Sequence, residues 1–204
     1  MAELTVTTFL SLDGVMQAPG GPDEDTSGDF SHGGWIFPLA DDAMSKEIVE
    51  NFSKADAFLL GRTTYDIFAG YWPKVTDPDD PIASSLNGLP KYVASRMRRS
   101  FTWHDSHHLP DVVAGVAELK RRYPREVQVH GSAGLLQTLI AHDLVDEYRL
   151  LTFPVLLGGG KRLFGAGTPP RSLQLVRTGT TDTGVVVSVY RPAGALKTGS
   201  FAVK

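Results

Sequence analysis

The chain of 204 residues contains no cysteine. This absence excludes disulfide bridges, thiolate metal sites and cysteine nucleophiles. We expect a cytoplasmic protein, with which the lack of cysteine is compatible. An excess of basic residues is also absent, because 20 lysines and arginines stand against 23 acidic residues and the net charge is −3. Without a basic surface field, nucleic acid is a poor candidate for a partner.

Long hydrophobic runs are missing as well. No apolar stretch approaches the ~20 residues that a membrane helix needs, so we expect no membrane association. Residues 1–6 show no basic region followed by an apolar stretch, and no signal peptide is predicted. The composition, with 42% hydrophobic and 21% charged residues, is typical of a globular protein. We predict a single domain over residues 1–192 and a flexible tail over residues 193–204.

Strand and helix patterns alternate along the chain. Strands are predicted at residues 4–10, 57–60, 91–95, 127–130 and 148–157, and helices at 41–53, 63–70, 112–123 and around 135–140. This alternation favours an α/β fold with a parallel sheet. Residues 172–178 and 185–191 predict a closing antiparallel hairpin, and Pro154 is expected to place its strand at an edge, a bulge or a break. Residues 17–34 form a long loop rich in glycine, proline and aspartate, and loops of this length are often functional.

Two strand ends marked by glycine are the most informative part of the sequence. Residues 56–66 and 126–136 each have the pattern of a strand that runs into a helix, with Gly61 and Gly131 at the junctions. Glycine lets the backbone approach a ligand, and the first N–H groups of the new helix are unpaired donors that favour an anion. Two such sites in one small domain predict a ligand with several phosphates, for which a dinucleotide is the most economical candidate.

Motifs for other chemistries do not fit. The G-x-G-x-x-G fingerprint does not occur, and residues 158–161 lack the first glycine and the hydroxyl residue of a Walker phosphate loop. Ser132 lacks the glycine two places earlier that a hydrolase nucleophile elbow requires, so we interpret it as a phosphate hydrogen-bond donor. His104, His107 and His108 follow no standard zinc spacing, and we interpret them as part of a solvated surface loop and predict no metal.

Four short motifs in the right order carry a family resemblance. They are Ser11-Leu-Asp-Gly14, Leu60-Gly-Arg-Thr-Thr-Tyr65, Ser95-Arg96 and Gly131-Ser132, and Phe153-Pro-Val-Leu-Leu-Gly-Gly-Gly-Lys161 follows them. Over residues 3–192 the chain resembles the dihydrofolate-reductase-like family that includes the C-terminal reductase domain of the bifunctional riboflavin-biosynthesis deaminase-reductase. The resemblance implies a mixed, mostly parallel eight-stranded sheet flanked by helices, NADPH as the hydride donor, a small heterocyclic substrate and often a homodimer.

The resemblance also implies which residues bind the cofactor. They are Gly61, Arg62, Thr63, Thr64, Ser95, Arg96, Gly131, Ser132, Ala133, Gly134 and Leu135. The Ser95 hydroxyl and the Arg96 guanidinium, backed by Arg98 and Arg99, suit the phosphate that distinguishes NADPH from NADH. Two plainer interpretations stay open: the glycines only form tight turns, and Arg98 and Arg99 are ordinary surface charges.

Asp13 is the predicted catalytic residue, because the turn after the first strand is expected to leave it beside the reacting ring. There it would orient the substrate or relay a proton, although an aspartate before a glycine is also a common turn former. Trp35 and Phe153 are predicted to bind the substrate, with core packing or a dimer contact as the alternative for Trp35. Hydride transfer itself requires alignment and exclusion of water rather than many side chains.

Two sequence elements tied to the phosphorylated ribose substrate of riboflavin-pathway reductases are missing. Gly34-Trp-Ile36 is matched, but the following helix has only Lys46 where an arginine is typical, and residues 63–73 replace an Asp-Asp-Pro element. We therefore expect an NADPH-dependent reductase that acts on a small heterocycle. The chain resembles 5-amino-6-(5-phosphoribosylamino)uracil reductase, but its substrate motifs are incomplete. The alternatives are a catalytically silent nucleotide- or ligand-binding protein that retains the fold, and a pterin or dihydrofolate reductase.

Overall fold

The computed structural model describes residues 1–97 and 100–201, so the predicted phosphate contacts of Arg98 and Arg99 lie outside the described residues. The strands are β1 (Glu3–Ser11), β2 (Ala55–Gly61), β3 (Lys91–Ala94), β4 (Ser106–Leu109), β5 (Glu126–His130), β6 (Glu147–Phe153), β7 (Arg171–Thr180) and β8 (Val186–Ala195). The α-helices are α1 (Asp42–Ser53), α2 (Arg62–Tyr71), α3 (Pro81–Gly88), α4 (Val112–Arg122) and α5 (Ala133–Ala141).

The eight strands form one sheet in the order β4-β3-β2-β5-β1-β6-β8-β7. The six strands from β4 to β6 are parallel to one another, whereas β8 is antiparallel to both β6 and β7. This arrangement confirms the predicted α/β fold: a mixed, mostly parallel eight-stranded sheet flanked by helices, with an antiparallel hairpin at its C-terminal side.

Helices cover both faces of the sheet. On one face α4 and α5 contribute Val116 and Leu136 to an aliphatic cluster that includes Val6 of β1. On the other face α1 and α3 contribute Phe52 and Leu86 to a more aromatic cluster. The helices that follow β1 and β2 thus lie on one face, and those that follow β4 and β5 lie on the opposite one.

The face beneath α1 has a charged centre. Arg149 of β6 is buried and donates from Nε to Glu147 over 2.7 Å and from its two terminal nitrogens to Glu126 of β5 over 2.9 and 2.7 Å. Gln128 of β5 donates from its amide to Glu126 over 2.8 Å and to the Asn51 carbonyl of α1 over 2.6 Å. These hydrogen bonds satisfy charges that burial would otherwise penalise heavily.

The helices begin in two different ways. Asp41, Asp80 and Asp111 precede α1, α3 and α4, and each carboxylate accepts backbone N–H groups of the first turn. Asp41 caps α1 in this way, and the Met44 N–H is the main reason that the pKa of Asp41 falls to about 2. By contrast, Gly61 and Ser132 are the N-cap residues of α2 and α5, and neither helix has a side-chain cap among the described residues.

Several boundaries differ from the sequence prediction. His107 and His108 are not part of a loop, because they lie in β4 and pair with β3, and pairing rather than β propensity makes this short polar segment a strand. Helix α3 was not predicted. Pro154 ends β6, which is the expected break. Strand β8 continues to Ala195, three residues beyond the boundary predicted at 192, and the flexibility of the tail stays a prediction.

No α-helix in the described ranges is long and apolar enough to cross a membrane.

Candidate active site

A cleft of about 1160 Å³ opens at the carboxyl ends of β1, β2, β3 and β5. The connections that leave these strands diverge here, since the helices after β1 and β2 pass to one face of the sheet and the helix after β5 passes to the other. A crevice at such a divergence is the usual ligand site of an open α/β sheet. The cleft has two ends, which we call the glycine end and the loop end.

The glycine end consists of residues 61–64, 94–96 and 131–135. It contains every one of the eleven residues predicted to bind the cofactor, although these residues come from three separate segments of the chain. Their common position follows from the parallel order of β3, β2 and β5, which brings three carboxyl ends to one edge of the sheet.

The two glycine junctions touch each other. Thr64 Oγ1 and Ser132 Oγ lie 2.5 Å apart, and a Cβ at Gly61 would collide with the side chain of Ser132. Gly131 and Ser132 both have a positive φ, of 79° and 67°, which glycine adopts freely and serine only at a cost. The absence of a side chain at Gly61 therefore permits the close approach of the α2 and α5 N-termini.

Backbone N–H groups, a hydroxyl and two guanidinium groups belong to the glycine end. The uncapped first turns of α2 and α5 leave backbone N–H groups without side-chain partners. The Arg62 guanidinium donates from Nε to Asp66 over 2.7 Å, but its Nη1 is buried without a partner among the described residues. Arg96 is exposed, and the Ser95 hydroxyl donates to the Met97 carbonyl over 3.0 Å. This combination of helix N-termini and cations favours anionic groups.

The loop end is formed by residues 7–9 of β1, by Met16, by residues 17–20, 24 and 25 of the long loop, by Ile48, Asn51 and Phe52 of α1, and by Lys161. Gln17 fixes the loop by donating to the Asp25 carbonyl over 3.0 Å and by accepting the Lys161 N–H over 3.0 Å. Lys161 Nζ pairs with Asp25 Oδ2 at 2.5 Å. Thr7 Oγ1 is buried and has no partner among the described residues.

His130 lies between the two ends and is neutral. Burial, followed by the charge of Arg149, lowers its pKa to about 3. Gln128 uses its amide nitrogen for two other hydrogen bonds, so its oxygen must accept from His130 Nε2, which lies 3.0 Å away. This contact places the proton on Nε2. The imidazole ring stacks on Phe52 with 4.4 Å between centroids.

Three predicted site residues do not line the cleft. Asp13 accepts hydrogen bonds from the Ser11 hydroxyl at 2.6 Å, from the Leu157 N–H at 3.1 Å and from the Gly158 N–H at 2.8 Å. These bonds, the Ser11 hydroxyl first, lower its pKa to about 2. The geometry therefore supports the alternative interpretation of Asp13 as a turn former, which ties the turn after β1 to the segment after β6.

Trp35 and Phe153 are the other two predicted site residues that do not line the cleft, and both are buried in the core. Their rings pack edge to face with centroids 5.4 Å apart, and Trp35 Nε1 donates to the Gln17 carbonyl over 2.8 Å. The geometry supports core packing for Trp35, and it places neither ring at the cleft. Trp35 supports the loop end indirectly, because its hydrogen bond holds Gln17.

Sequence reasoning missed Thr7, Glu24, His130 and Lys161 as lining residues. The length of the loop at 17–34 was a signal for Glu24, but nothing local pointed to Thr7 or Lys161. The histidine at 108 has a supporting role, since its Nε2 lies 2.7 Å from the Ser95 carbonyl. Among the described residues, no group of three or more histidine, aspartate or glutamate side chains is arranged to hold a metal ion.

One family model and one relative match most of the chain. The family model described as the RibD C-terminal domain matches residues 2–187. The uncharacterized protein YyaP of Bacillus subtilis (strain 168) is 34% identical over 140 residues, which are 68% of this chain and 74% of that protein.

Two solved structures share the fold. A putative riboflavin biosynthesis protein from Shewanella sp. PV-4 has a TM-score of 0.71 at 20% identity, covering 94% of this chain and 99% of that one. A dihydrofolate reductase from Enterococcus faecalis, complexed with NADP(H), has a TM-score of 0.60 at 11% identity, covering 94% and 96% of the two chains.

Proposed function

This chain belongs to the RibD C-terminal domain family, and from that premise we propose that it is an NADPH-dependent reductase of a small heterocycle. The observation that carries the proposal is the glycine end of the cleft. There α2 and α5 begin side by side without side-chain caps, next to Arg62, whose buried Nη1 has no partner among the described residues.

The residues of the cleft fit a dinucleotide. Arg62 Nη1 and Thr7 Oγ1 are buried polar atoms without partners among the described residues, and such atoms are costly unless a ligand or water satisfies them. Gly61 lets the N-termini of α2 and α5 lie close together, where the phosphates would lie. The volume of about 1160 Å³ exceeds that of ordinary small-molecule pockets, so it leaves room for a dinucleotide and a second ligand.

NADPH, when bound, supplies the hydride. In our proposal residues 61–64 and 131–135 hold the phosphates, and Ser95 and Arg96 recognise the phosphate that NADH lacks. Phe9, Ile48 and Phe52 form an apolar wall at the loop end that excludes water from the acceptor. In this proposal the chain aligns NADPH with the acceptor and excludes water from the place where the hydride is transferred.

His130 does not supply the proton. With a pKa lowered to about 3 it is neutral near pH 7, and its Nε2–H is engaged by Gln128. Asp13, our sequence-based candidate, keeps a pKa of about 2 and faces backbone N–H groups outside the cleft. We therefore assign neither residue to proton transfer.

Cofactor binding is the direct test. We expect NADPH to bind more tightly than NADH in calorimetric titrations, and Arg96→Ala to weaken NADPH binding about tenfold or more while NADH changes little. Arg171→Ala is the matched control, because Arg171 forms an exposed pair with Asp143 away from the cleft. Equal affinity of the wild type for both nucleotides, or binding of neither, would refute the assignment.

Catalysis needs a separate measurement. A screen of NADPH oxidation with pterins, flavins and aminopyrimidines should find a reducible heterocycle. A complete lack of turnover in a protein that binds NADPH would instead favour the silent ligand-binding protein.

A further inference from the structure

We propose that the loop end of the cleft binds a planar nitrogen heterocycle that carries no phosphate and that directs N–H donors at Glu24. This inference rests on the proposed function, since it names the class of molecule that lies beside the cofactor. The proposed ligand differs from the phosphorylated ribose substrate of riboflavin-pathway reductases.

The charges of the loop end disfavour a phosphate. Its charged lining residues among those described are Glu24, Asp25 and Lys161. The single ammonium group is already paired, because Lys161 Nζ lies 2.5 Å from Asp25 Oδ2. A phosphate monoester carries nearly two negative charges at neutral pH and would meet an unpaired carboxylate without a free cation. The two arginines of the lining, Arg62 and Arg96, lie at the glycine end.

Glu24 has the properties of a ligand-binding carboxylate. It is half-buried, and its Oε2 accepts the Gly20 N–H over 2.6 Å, which holds the side chain in place. In the described part of the chain it has no ion-pair partner, whereas its neighbour Asp25 has one. Burial raises its pKa, as expected for a carboxylate that is not compensated by a cation. A ligand with N–H donors, or a protonated ring, would provide that compensation.

Thr7 gives an independent indication of a ligand. Its side chain lines the cleft, the residue is only 6% exposed, and Oγ1 has no partner among the described residues. A buried hydroxyl of this kind is normally satisfied. Phe9, Ile48 and Phe52 line the same end and make it apolar. One carboxylate and one unpartnered hydroxyl in an apolar lining together suit a flat heterocycle with polar edges.

The test uses the full chain and calorimetric titrations in two arms. In the first arm, run with and without saturating NADPH, we expect 2,4-diaminopyrimidine to bind the wild type and Glu24→Gln to weaken it about tenfold or more. The glutamine can still accept the Gly20 N–H, so the loop should keep its structure. Asp23→Asn is the control, because Asp23 is exposed and does not line the cleft.

In the second arm uridine and uridine 5′-monophosphate are compared with NADPH saturating. We expect the wild type to bind uridine at least as well as the nucleotide. Asp25→Asn should reverse this order, because it frees Lys161 for a phosphate. Unchanged binding of 2,4-diaminopyrimidine by Glu24→Gln, or tighter binding of the nucleotide by the wild type, would overturn the inference. If NADPH fails to bind while the first arm succeeds, the proposed function is refuted and the loop-end assignment is supported.

Discussion

Gly61 illustrates how one missing side chain assembles the glycine end. Its φ of −72° is ordinary for any residue, so conformational freedom does not explain the glycine. The reason is the close approach of Ser132, whose Oγ and Cβ occupy the space that a Cβ at position 61 would need. Ser132 in turn is held in the left-handed region, next to Thr64. Such local strain is common at functional sites and is compensated by the surrounding structure.

This contact predicts a suppressor pair. Gly61→Ala should lower the melting temperature and weaken NADPH binding, because the new methyl group pushes Ser132 and the start of α5 away. Adding Ser132→Gly should recover most of the lost melting temperature, since glycine removes the obstructing side chain and accepts a φ of 67° without cost. Thermal unfolding of the two single variants and the double variant measures this. Additive losses in the double variant would contradict the steric explanation.

At the level of elements, β5 and β6 place a charged group inside the protein. In β5, residues 126, 128 and 130 are polar and face α1, while Val127 and Val129 belong to the aliphatic cluster on the other face. The alternation lets one strand serve two different layers. Arg149 is the centre of the polar layer, because it pairs with both Glu126 and Glu147.

Arg149→Met should therefore be strongly destabilising. The substitution leaves two carboxylates buried beside an apolar side chain, and breaking a buried pair in this way costs about 3–5 kcal/mol. Arg191→Ala is the matched control, because Arg191 pairs with the same Glu147 but is exposed, and exposed pairs contribute at most about 1 kcal/mol. Urea unfolding measures the free energy of unfolding of both variants. If both variants lost the same free energy of unfolding, the burial of Arg149 would not be the cause.

At the scale of the whole molecule, the sheet has an open edge at β7. Among the described strands, β7 has only β8 as a neighbour, and it is exposed along most of its length. The hairpin carries exposed apolar side chains at Leu173, Leu175, Val176 and Val186. Long, exposed and partly apolar edges invite pairing with another chain unless they are covered. The homodimer stays a prediction, and we expect this hairpin to be its interface.

Light scattering coupled to size-exclusion chromatography tests the interface. We expect the wild type to have the mass of a dimer and the double variant Leu175→Lys, Val176→Lys to have that of a monomer, because two lysines on each copy repel and remove apolar surface. Leu156→Lys is the control, since Leu156 is exposed outside the hairpin. A monomeric wild type would contradict the dimer, and a dimeric double variant would place the interface elsewhere.

Much of this organisation was predictable from local sequence. The order of strands and helices follows from hydrophobic periodicity, and Asp41 and Pro154 mark a helix start and a strand end through their own chemistry. The differences from the prediction have a common cause. β4 has its strand conformation because β3 lies beside it, and the predicted roles of Asp13, Trp35 and Phe153 assumed side-chain directions that only packing determines.

The sequence by itself determined the fold class and the residues of the glycine end, because both depend on short segments whose backbone preferences are local. Only the tertiary structure decided what lies at the loop end. Glu24 and Lys161 come from distant parts of the chain, and the pairing of Lys161 with Asp25, 136 residues away, removes the one free cation that the described lining would otherwise offer there. Charge compensation is a property of the assembled site, so the sequence by itself indicates more about the glycine end than about the loop end.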